Sequence, residues 1–388
     1  MYQHLKLTIM REYLFIIVLL ISANVIAQQT NTVEEPKNKS EERKKINVAP
    51  AYSNEVESEI DESPSGRLVD QAQSSVLVTA SQNLQQTLAE IKQMSNQKTP
   101  TPKQLQKLNY ELIKIKNVNE NAFEYHLYNY KVGNYDFERI DDLKTAARLQ
   151  PNHPEVLKSL SAYHYILNDE SSLKQHLSKM KAAKHFSSEL TDFANDVLNS
   201  LPKNSILLTH GDDDTYPLLI EQYVNSTRKD IQIISLDHLQ SEVYREKLKK
   251  KGFKLPKSNI INTAYFKEFV SLNQHDLVIA TSLPKSYLQK VQNQIQVEGL
   301  GFRVEKLDKI EANNRLVNLY ESTIKPSLQS KNGTRHRKIL SNYLPLLFEV
   351  RNYWIELGDI EKVKGVESEI IDIARRTNKL EQISKMLK

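Results

Sequence analysis

The sequence predicts an α/β module combined with helices, in which a small, mainly parallel sheet is flanked by helical hairpins. Three observations predict this fold class. Short apolar segments between residues 201 and 312 alternate with helical segments of about 10 to 15 residues, which is typical of a parallel sheet with crossover helices. Weak internal repetition between residues 121 and 180 indicates paired helices. Apolar residues also recur at helical spacing on both sides of the module.

The N-terminus has the three parts of a secretory signal. Two basic residues, Lys6 and Arg11, precede an apolar run at 13–21, and Ala27 lies before a polar stretch. We expect residues 1–27 to be a signal peptide and the mature chain, without a transmembrane helix, to be exported. A retained membrane anchor is the alternative, although the run is shorter than the roughly 20 apolar residues that a spanning helix needs.

Composition limits the classes of function. The chain of 388 residues contains no cysteine, so an exported form must be stabilised by core packing without disulfides. Its 53 basic and 48 acidic residues are well mixed, which leaves a net charge of only +5. Nucleic-acid binding favours basic residues clustered with aromatic platforms, and the sequence has no such cluster. We therefore expect a solvated surface and no nucleic-acid partner.

Helical segments follow a polar N-terminal stretch. Residues 28–67 contain too few large apolar side chains to offset the entropy of ordering, which predicts a disordered linker. Residues 68–200 are predicted to be helical, with two helix pairs that turn at Gly133-Asn134 and Asn168-Asp169. These pairs resemble tetratricopeptide repeats, because four residues fall on usual positions of that pattern: Phe123, Tyr130, Ala146 and Pro151.

Residues 201–312 form the predicted α/β module. Its strands are predicted in SILLTHG, IQIISL, DLVIATS and GLGFRVEKL, and helical segments follow the first three. This order predicts a mainly parallel, Rossmann-like sheet. Residues 313–388 are predicted to form a C-terminal helical hairpin that turns at Gly358-Asp359, with Trp354 packed in its core.

The most unusual string, THGDDDTYP, lies at the carboxyl end of the first predicted strand. Ligands of open α/β sheets bind outside the carboxyl ends of strands, next to helix N-termini. Asp237 and His238 follow the second strand and are expected at the same edge. The candidate binding residues are therefore His210, Gly211, Asp212, Asp213, Asp214, Thr215, Asp237 and His238.

These residue types are compatible with three interpretations. Carboxylates can bind a cation or a hydroxyl-rich group such as a sugar, with Asp212 and Asp214 as oxygen ligands of Mg²⁺ or Ca²⁺. His210 can act as an acid or base, because the ordinary pKa of histidine is about 6.5. Without any ligand, Asp214 or Thr215 is a good N-cap and Gly211 suits a tight turn. The sequence leaves capping, binding and catalysis open, and no hydrolase, zinc-protease or P-loop motif assigns a catalytic residue.

Residues 204–373 resemble the soluble, periplasmic C-terminal region of bacterial multi-span membrane proteins that are similar to protein O-mannosyltransferases. VEGLGFRVEKLD is similar to a Leu-Glu-Gly-Leu-x-Tyr-Arg element of that family, and WIELGDIEKV to its C-terminal hairpin. Asp213 and Tyr216 depart from the family's G-D-N-D-T-F-P signature. The residues that match the signature are Gly211, Asp212, Asp214, Thr215 and Pro217.

The resemblance implies a bacterial envelope module, in the periplasm or associated with the outer envelope, and does not imply transferase activity. The family's glycosyl-transfer chemistry belongs to a membrane-embedded half that this sequence is expected to lack. Our first hypothesis is an exported, non-catalytic interaction or scaffold module that binds a glycan, a cation or a protein partner of the envelope. The alternative is an enzyme or accessory subunit of envelope glycan metabolism that uses the acidic turn.

Overall fold

The computed structural model describes residues 64–94, 96–305, 307–330 and 337–388. The predicted signal peptide and residues 28–63 of the predicted linker lie outside the described residues. Residues 64–67, which we assigned to that linker, instead begin the first helix. Pro64 is the first residue of this helix, a position that proline favours because its missing N–H has no helical partner there.

Seven helices precede the sheet in the described part of the chain. Both predicted helix pairs are present, because α3 packs on α4 and α5 packs on α6. Asn168 adopts a left-handed φ of 60° after α5, and the Asp169 side chain accepts a hydrogen bond from the Ser172 N–H to cap α6. Their similarity to tetratricopeptide repeats stays a prediction. The helices are α1 (Pro64–Gln93), α2 (Pro102–Val118), α3 (Phe123–Val132), α4 (Ile140–Leu149), α5 (Pro154–Leu167), α6 (Glu170–Ala182) and α7 (Ser188–Ser200).

The sheet is mixed, with strand order β2-β1-β3-β5-β4. Strand β1 is parallel to β2 and β3, whereas β5 is antiparallel to both β3 and β4. Our prediction of a mainly parallel sheet is therefore wrong at the β5-β4 edge. The strands are β1 (Ile206–Thr209), β2 (Gln232–Ser235), β3 (Leu277–Ala280), β4 (Gln296–Glu298) and β5 (Gly301–Arg303).

A two-residue turn at Gly299 and Leu300 produces the antiparallel edge. Gly299 adopts φ 59°, and a Cβ placed there would lie 2.4 Å from the carbonyl oxygen of Ser200. The Leu300 N–H donates to the Ser200 hydroxyl at 2.9 Å, so the end of α7 holds this turn in place. We expected one strand here because β4, at three residues, is too short to show alternation.

The remaining helices cover the sheet and form the C-terminal part of the chain. The predicted C-terminal hairpin is confirmed: Gly358 turns with φ 72°, and Trp354 is buried, with the Lys362 ammonium 3.8 Å from its ring centroid. A π-helical turn, Tyr320–Ile324, joins α12 to α13. The helices are α8 (Asp212–Tyr223), α9 (Glu242–Lys250), α10 (Thr263–Leu272), α11 (Lys285–Leu288), α12 (Lys309–Leu319), α13 (Lys325–Ser330), α14 (Arg337–Leu340), α15 (Leu344–Leu357), α16 (Ile360–Arg376) and α17 (Leu380–Met386).

Buried apolar side chains form one large cluster and two small ones. The large cluster extends from Leu157 to Met386 and includes the strands and the C-terminal helices. One small cluster lies between α1, α2 and α3, and the other between α3, α4 and α5. The α1-α2 hairpin therefore shares a small apolar core with α3, apart from the large cluster around the sheet. None of the helices that the structure describes combines the length and the apolar character needed to cross a bilayer.

The turn at Gly299 gives the first testable prediction. We expect Gly299→Ala to lower the free energy of unfolding by about 2 to 4 kcal/mol, because the substitution adds left-handed strain to a clash with Ser200. Gly252→Ala is the matched control, since Gly252 has φ 94° and nothing within 4 Å of an added Cβ. Chemical denaturation should therefore show the smaller loss for the control. Equal losses would contradict the close packing at Ser200.

Candidate functional site

The candidate site lies where the strand order reverses. After β1 the chain forms β2 on one side of it, and β3 then pairs on the other side, so the carboxyl ends of β1 and β3 flank a crevice. Such switch points are the usual ligand sites of open α/β sheets. A cavity of about 450 Å³ lies there, and its lining includes His210 after β1, Asp237 after β2 and Ser282 after β3.

Six of the eight predicted binding residues line this cavity: His210, Gly211, Asp212, Asp213, Asp214 and Asp237. The sequence did not identify the other lining residues, which are Lys92, Lys98, Leu190, Phe193, Ala194, Val197, Leu218, Ser282, Ile339 and Asn342.

Two carboxylates hold the turn that joins β1 to α8. Gly211 adopts φ 84°, and its N–H donates to Asp237 Oδ2 at 2.7 Å. The preceding His210 N–H donates to Asp214 Oδ2 at 2.9 Å. Helix α8 begins at Asp212 with Gly211 as its N-cap, so the alternative in which Asp214 or Thr215 is the N-cap is wrong. The Asp214 carboxylate instead satisfies a backbone donor that precedes the helix.

Lysines from the N-terminal helices neutralise two of these carboxylates. Asp212 Oδ2 lies 2.9 Å from Lys92 Nζ, near the end of α1, and 3.1 Å from Lys158 Nζ on α5. Asp237 Oδ1 lies 3.1 Å from Lys98 Nζ, in the linker between α1 and α2. The Lys98 side chain is only 3% exposed, so this ion pair is removed from water. The acidic turn therefore connects the sheet to the helices that precede it.

Backbone hydrogen bonds fix the linker that carries Lys98. The Lys98 N–H donates to the carbonyl oxygen of Ile261 at 2.7 Å, and the Ile261 N–H donates to the Thr99 hydroxyl at 2.8 Å. The Thr263 N–H donates to the carbonyl oxygen of Asn96 at 3.0 Å. The linker thus lies against the start of α10, across the carboxyl edge of the sheet.

The environments of the site give its titratable groups different pKa values. Burial opposes ionisation of Asp212, but Lys92 and Lys158 hold its pKa well below the ordinary value. Asp214 has no lysine partner among the described residues, and burial raises its pKa to about 6. Burial, with a contribution from Lys98, lowers the pKa of His210 to about 3. His210 is therefore neutral at physiological pH, because its pKa lies well below the ordinary value for histidine.

Thr215 and His238 do not line the cavity. The Thr215 hydroxyl lies 2.8 Å from that of Thr209 and 3.3 Å from that of Ser235, so it joins α8 to β1 and β2. His238 is buried, and burial lowers its pKa to about 4. Its ring contacts four tyrosines, Tyr135, Tyr165, Tyr216 and Tyr244.

The binding of Mg²⁺ or Ca²⁺ by Asp212 and Asp214 stays a prediction. Two lysines already form ion pairs with Asp212, which reduces the availability of its carboxylate to a divalent ion. Among the described residues, the one group of three candidate metal ligands is His275, Asp276 and Glu305, at the amino end of β3. Arg303 donates to both carboxylates of that group, which reduces their availability to a metal.

The part of the chain that contains most of the cavity lining is similar to a known family. Residues 190–347 are similar to TMEM260-associated domain 2. The match agrees with the resemblance to O-mannosyltransferase-related membrane proteins over this part of the chain. Every lining residue of the cavity lies inside the matched span except Lys92 and Lys98. No curated protein and no solved structure matches the chain.

We expect Asp214→Asn to stabilise the protein at pH 7 by about 1 to 2 kcal/mol, because an amide removes a buried charge and can still accept the His210 N–H. The folded pKa of about 6 exceeds the unfolded value of about 3.9, so the wild type loses stability as pH rises from about 4 to 6. The gain should therefore shrink as the pH falls from about 6 to 4. Denaturant titrations between pH 4 and 8 measure it, with the exposed Asp213→Asn as control. An Asp214→Asn protein less stable than wild type at pH 7 would contradict this.

We expect Lys98→Met to lower the free energy of unfolding by about 3 to 5 kcal/mol, because it leaves the Asp237 carboxylate buried without a cation. The double variant Lys98→Met/Asp237→Asn should recover part of that loss. Lys92→Met is the control, since the Lys92 side chain is half exposed and its ion pair is worth at most about 1 kcal/mol. If Lys98→Met lost no more stability than Lys92→Met, and the double variant recovered none of that loss, the Lys98 ion pair would not hold the linker.

Proposed function

We propose that the chain is an exported bacterial envelope protein that acts as a non-catalytic interaction module. Its binding site is the cavity at the carboxyl ends of β1 and β3. The single observation that carries this proposal is the cavity itself, which lies at the switch point of the sheet and has a volume typical of small-molecule sites. The ligand is a glycan or another small polar group, presented alone or on a protein partner.

The roles of the charged side chains support binding in preference to catalysis. Asp212 and Asp237 are engaged in ion pairs, and Asp214 and Asp237 also hold the backbone of the turn. The low pKa of His210 makes its imidazole a weak base at neutral pH. These groups therefore stabilise the site and present hydrogen-bonding atoms, without a nucleophile activated by a neighbouring base.

The helical hairpins supply a second surface for a protein partner. A groove of about 840 Å³ lies between the turn after α3, the end of α5 and helix α9. Arg245 and Lys250 line it together with Asp136 and Glu138, so both signs of charge are present. If α3–α6 act as tetratricopeptide-like hairpins, this groove is the docking face of the scaffold.

One observation favours the alternative, an enzyme or accessory subunit of envelope glycan metabolism. Asp214 has a pKa raised to about 6, whereas Lys98 holds the pKa of Asp237 below its ordinary value, and both line the same cavity. Carboxylates whose pKa values are pushed apart can serve as a general acid and a general base. The ion pair of Asp237 makes this alternative the weaker one.

A substitution that fills the cavity tests the proposal. Asn342→Phe places a ring among the lining residues, and Asn199→Phe makes the same change on the exposed face of α7. We expect the mature wild type and Asn199→Phe to retain ligands on a glycan array, and Asn342→Phe to lose them by at least about tenfold in affinity. Binding that Asn342→Phe leaves unchanged, or no binding at all, would overturn the proposal. Turnover of a bound glycan that Asp214→Asn abolishes would favour the enzyme.

A further inference from the structure

The cavity has two walls of different chemistry. Helix α7 contributes an apolar stripe at the spacing i, i+3, i+4 and i+7, formed by Leu190, Phe193, Ala194 and Val197. The polar wall includes the turn after β1, together with Asp237 after β2 and Ser282 after β3. A ligand that fills this space therefore needs one apolar face and one face that forms hydrogen bonds.

Both signs of charge line the polar wall. The ammonium groups of Lys92 and Lys98 are adjacent to the carboxylates of Asp212 and Asp237, and Asp214 adds a further carboxylate. A ligand with a single charge would meet a like charge along this wall and would lose its hydration without a dedicated counter-charge. A hydroxyl group avoids this problem, because it donates to a carboxylate and accepts from an ammonium group.

A neutral polar atom without a partner belongs to the cavity lining. Among the described residues, His210 lines the cavity and its Nε2 atom is buried without a hydrogen-bond partner. Two further buried hydroxyls without a partner belong to residues next to this lining: the Tyr287 ring lies 5.6 Å from the His210 ring, and Thr281 precedes the lining residue Ser282. Buried polar groups are nearly always satisfied, so His210 Nε2 is a hydrogen-bonding position that a ligand in the cavity can complete.

We infer that the cavity binds an uncharged, polyhydroxylated ring compound with one apolar face, the chemistry of a neutral pyranose. The apolar face packs on the α7 stripe, and the hydroxyls interact with the turn, with Asp214 and with His210 Nε2. This inference rests on the proposed function and specifies its ligand class.

Matched sugar derivatives test the ligand class. Methyl glycosides of glucose and galactose are titrated into the mature chain alongside the corresponding 2-amino sugars and uronic acids, and calorimetry measures the affinities. We expect a neutral glycoside to bind at least about tenfold more tightly than its amino and uronic counterparts. Tighter binding of a charged counterpart, blocked by Asn342→Phe, would overturn the inference and leave the proposed function intact. If no probe binds and the glycan array is also empty, the proposed function itself fails.

His210→Phe separates a ligand contact from a structural role. Removing an imidazole atom that has no partner should leave the unliganded protein as stable as the wild type or more stable, while lowering the affinity for the neutral glycoside about five- to tenfold. His238→Phe is the matched control, because His238 Nδ1 is also buried without a partner among the described residues but His238 lies outside the cavity lining. Unchanged affinity in His210→Phe, or an equal loss in both variants, would overturn the inference.

Discussion

The buried ion pair between Lys98 and Asp237 connects the linker between α1 and α2 to the carboxyl edge of the sheet. Asp237 follows β2, accepts the Gly211 N–H that shapes the turn after β1, and pairs with a lysine from that linker. An unpaired carboxylate at this depth would be strongly destabilising. The position of the linker, the conformation of the turn and the shape of the cavity therefore all involve this one carboxylate.

This contact explains how the N-terminal helices relate to the domain that holds the cavity. The α1-α2 hairpin packs with α3 in a small apolar cluster that is separate from the large core around the sheet. Its attachment to the sheet edge relies on Lys92, Lys98 and the backbone pairing of the linker with residues 261–263. The similarity to TMEM260-associated domain 2 starts at residue 190 and contains the whole cavity lining except these two lysines. In this chain, two lysines that precede the matched domain thus complete the lining of a cavity that the domain otherwise forms.

Local patterns predicted much of the fold and the place of the site. Four strands, both helix pairs and the C-terminal hairpin follow from periodicity and turn residues, and the cavity lies at the strand ends next to the THGDDDTYP string. The lysines could not be predicted, because Lys92 and Asp212 are 120 positions apart and no local pattern joins them. Strand β4 was missed because it has only three residues, so its hairpin with β5 was not expected. His238 follows β2 as expected, but four tyrosine rings surround it and keep it away from the cavity.

Amide hydrogen exchange tests most directly whether the linker is locked onto the sheet edge. The Lys98 N–H is bonded to Ile261 and the Gly211 N–H to Asp237, so both should be protected and should open together, with the same free energy. Exchange measured by NMR across a denaturant series compares these two amides with those of β1. Coincident opening free energies for Lys98 and Gly211 are the predicted result. A Lys98 amide that exchanges orders of magnitude faster than Gly211 would contradict the account, because the linker would then open independently of the turn.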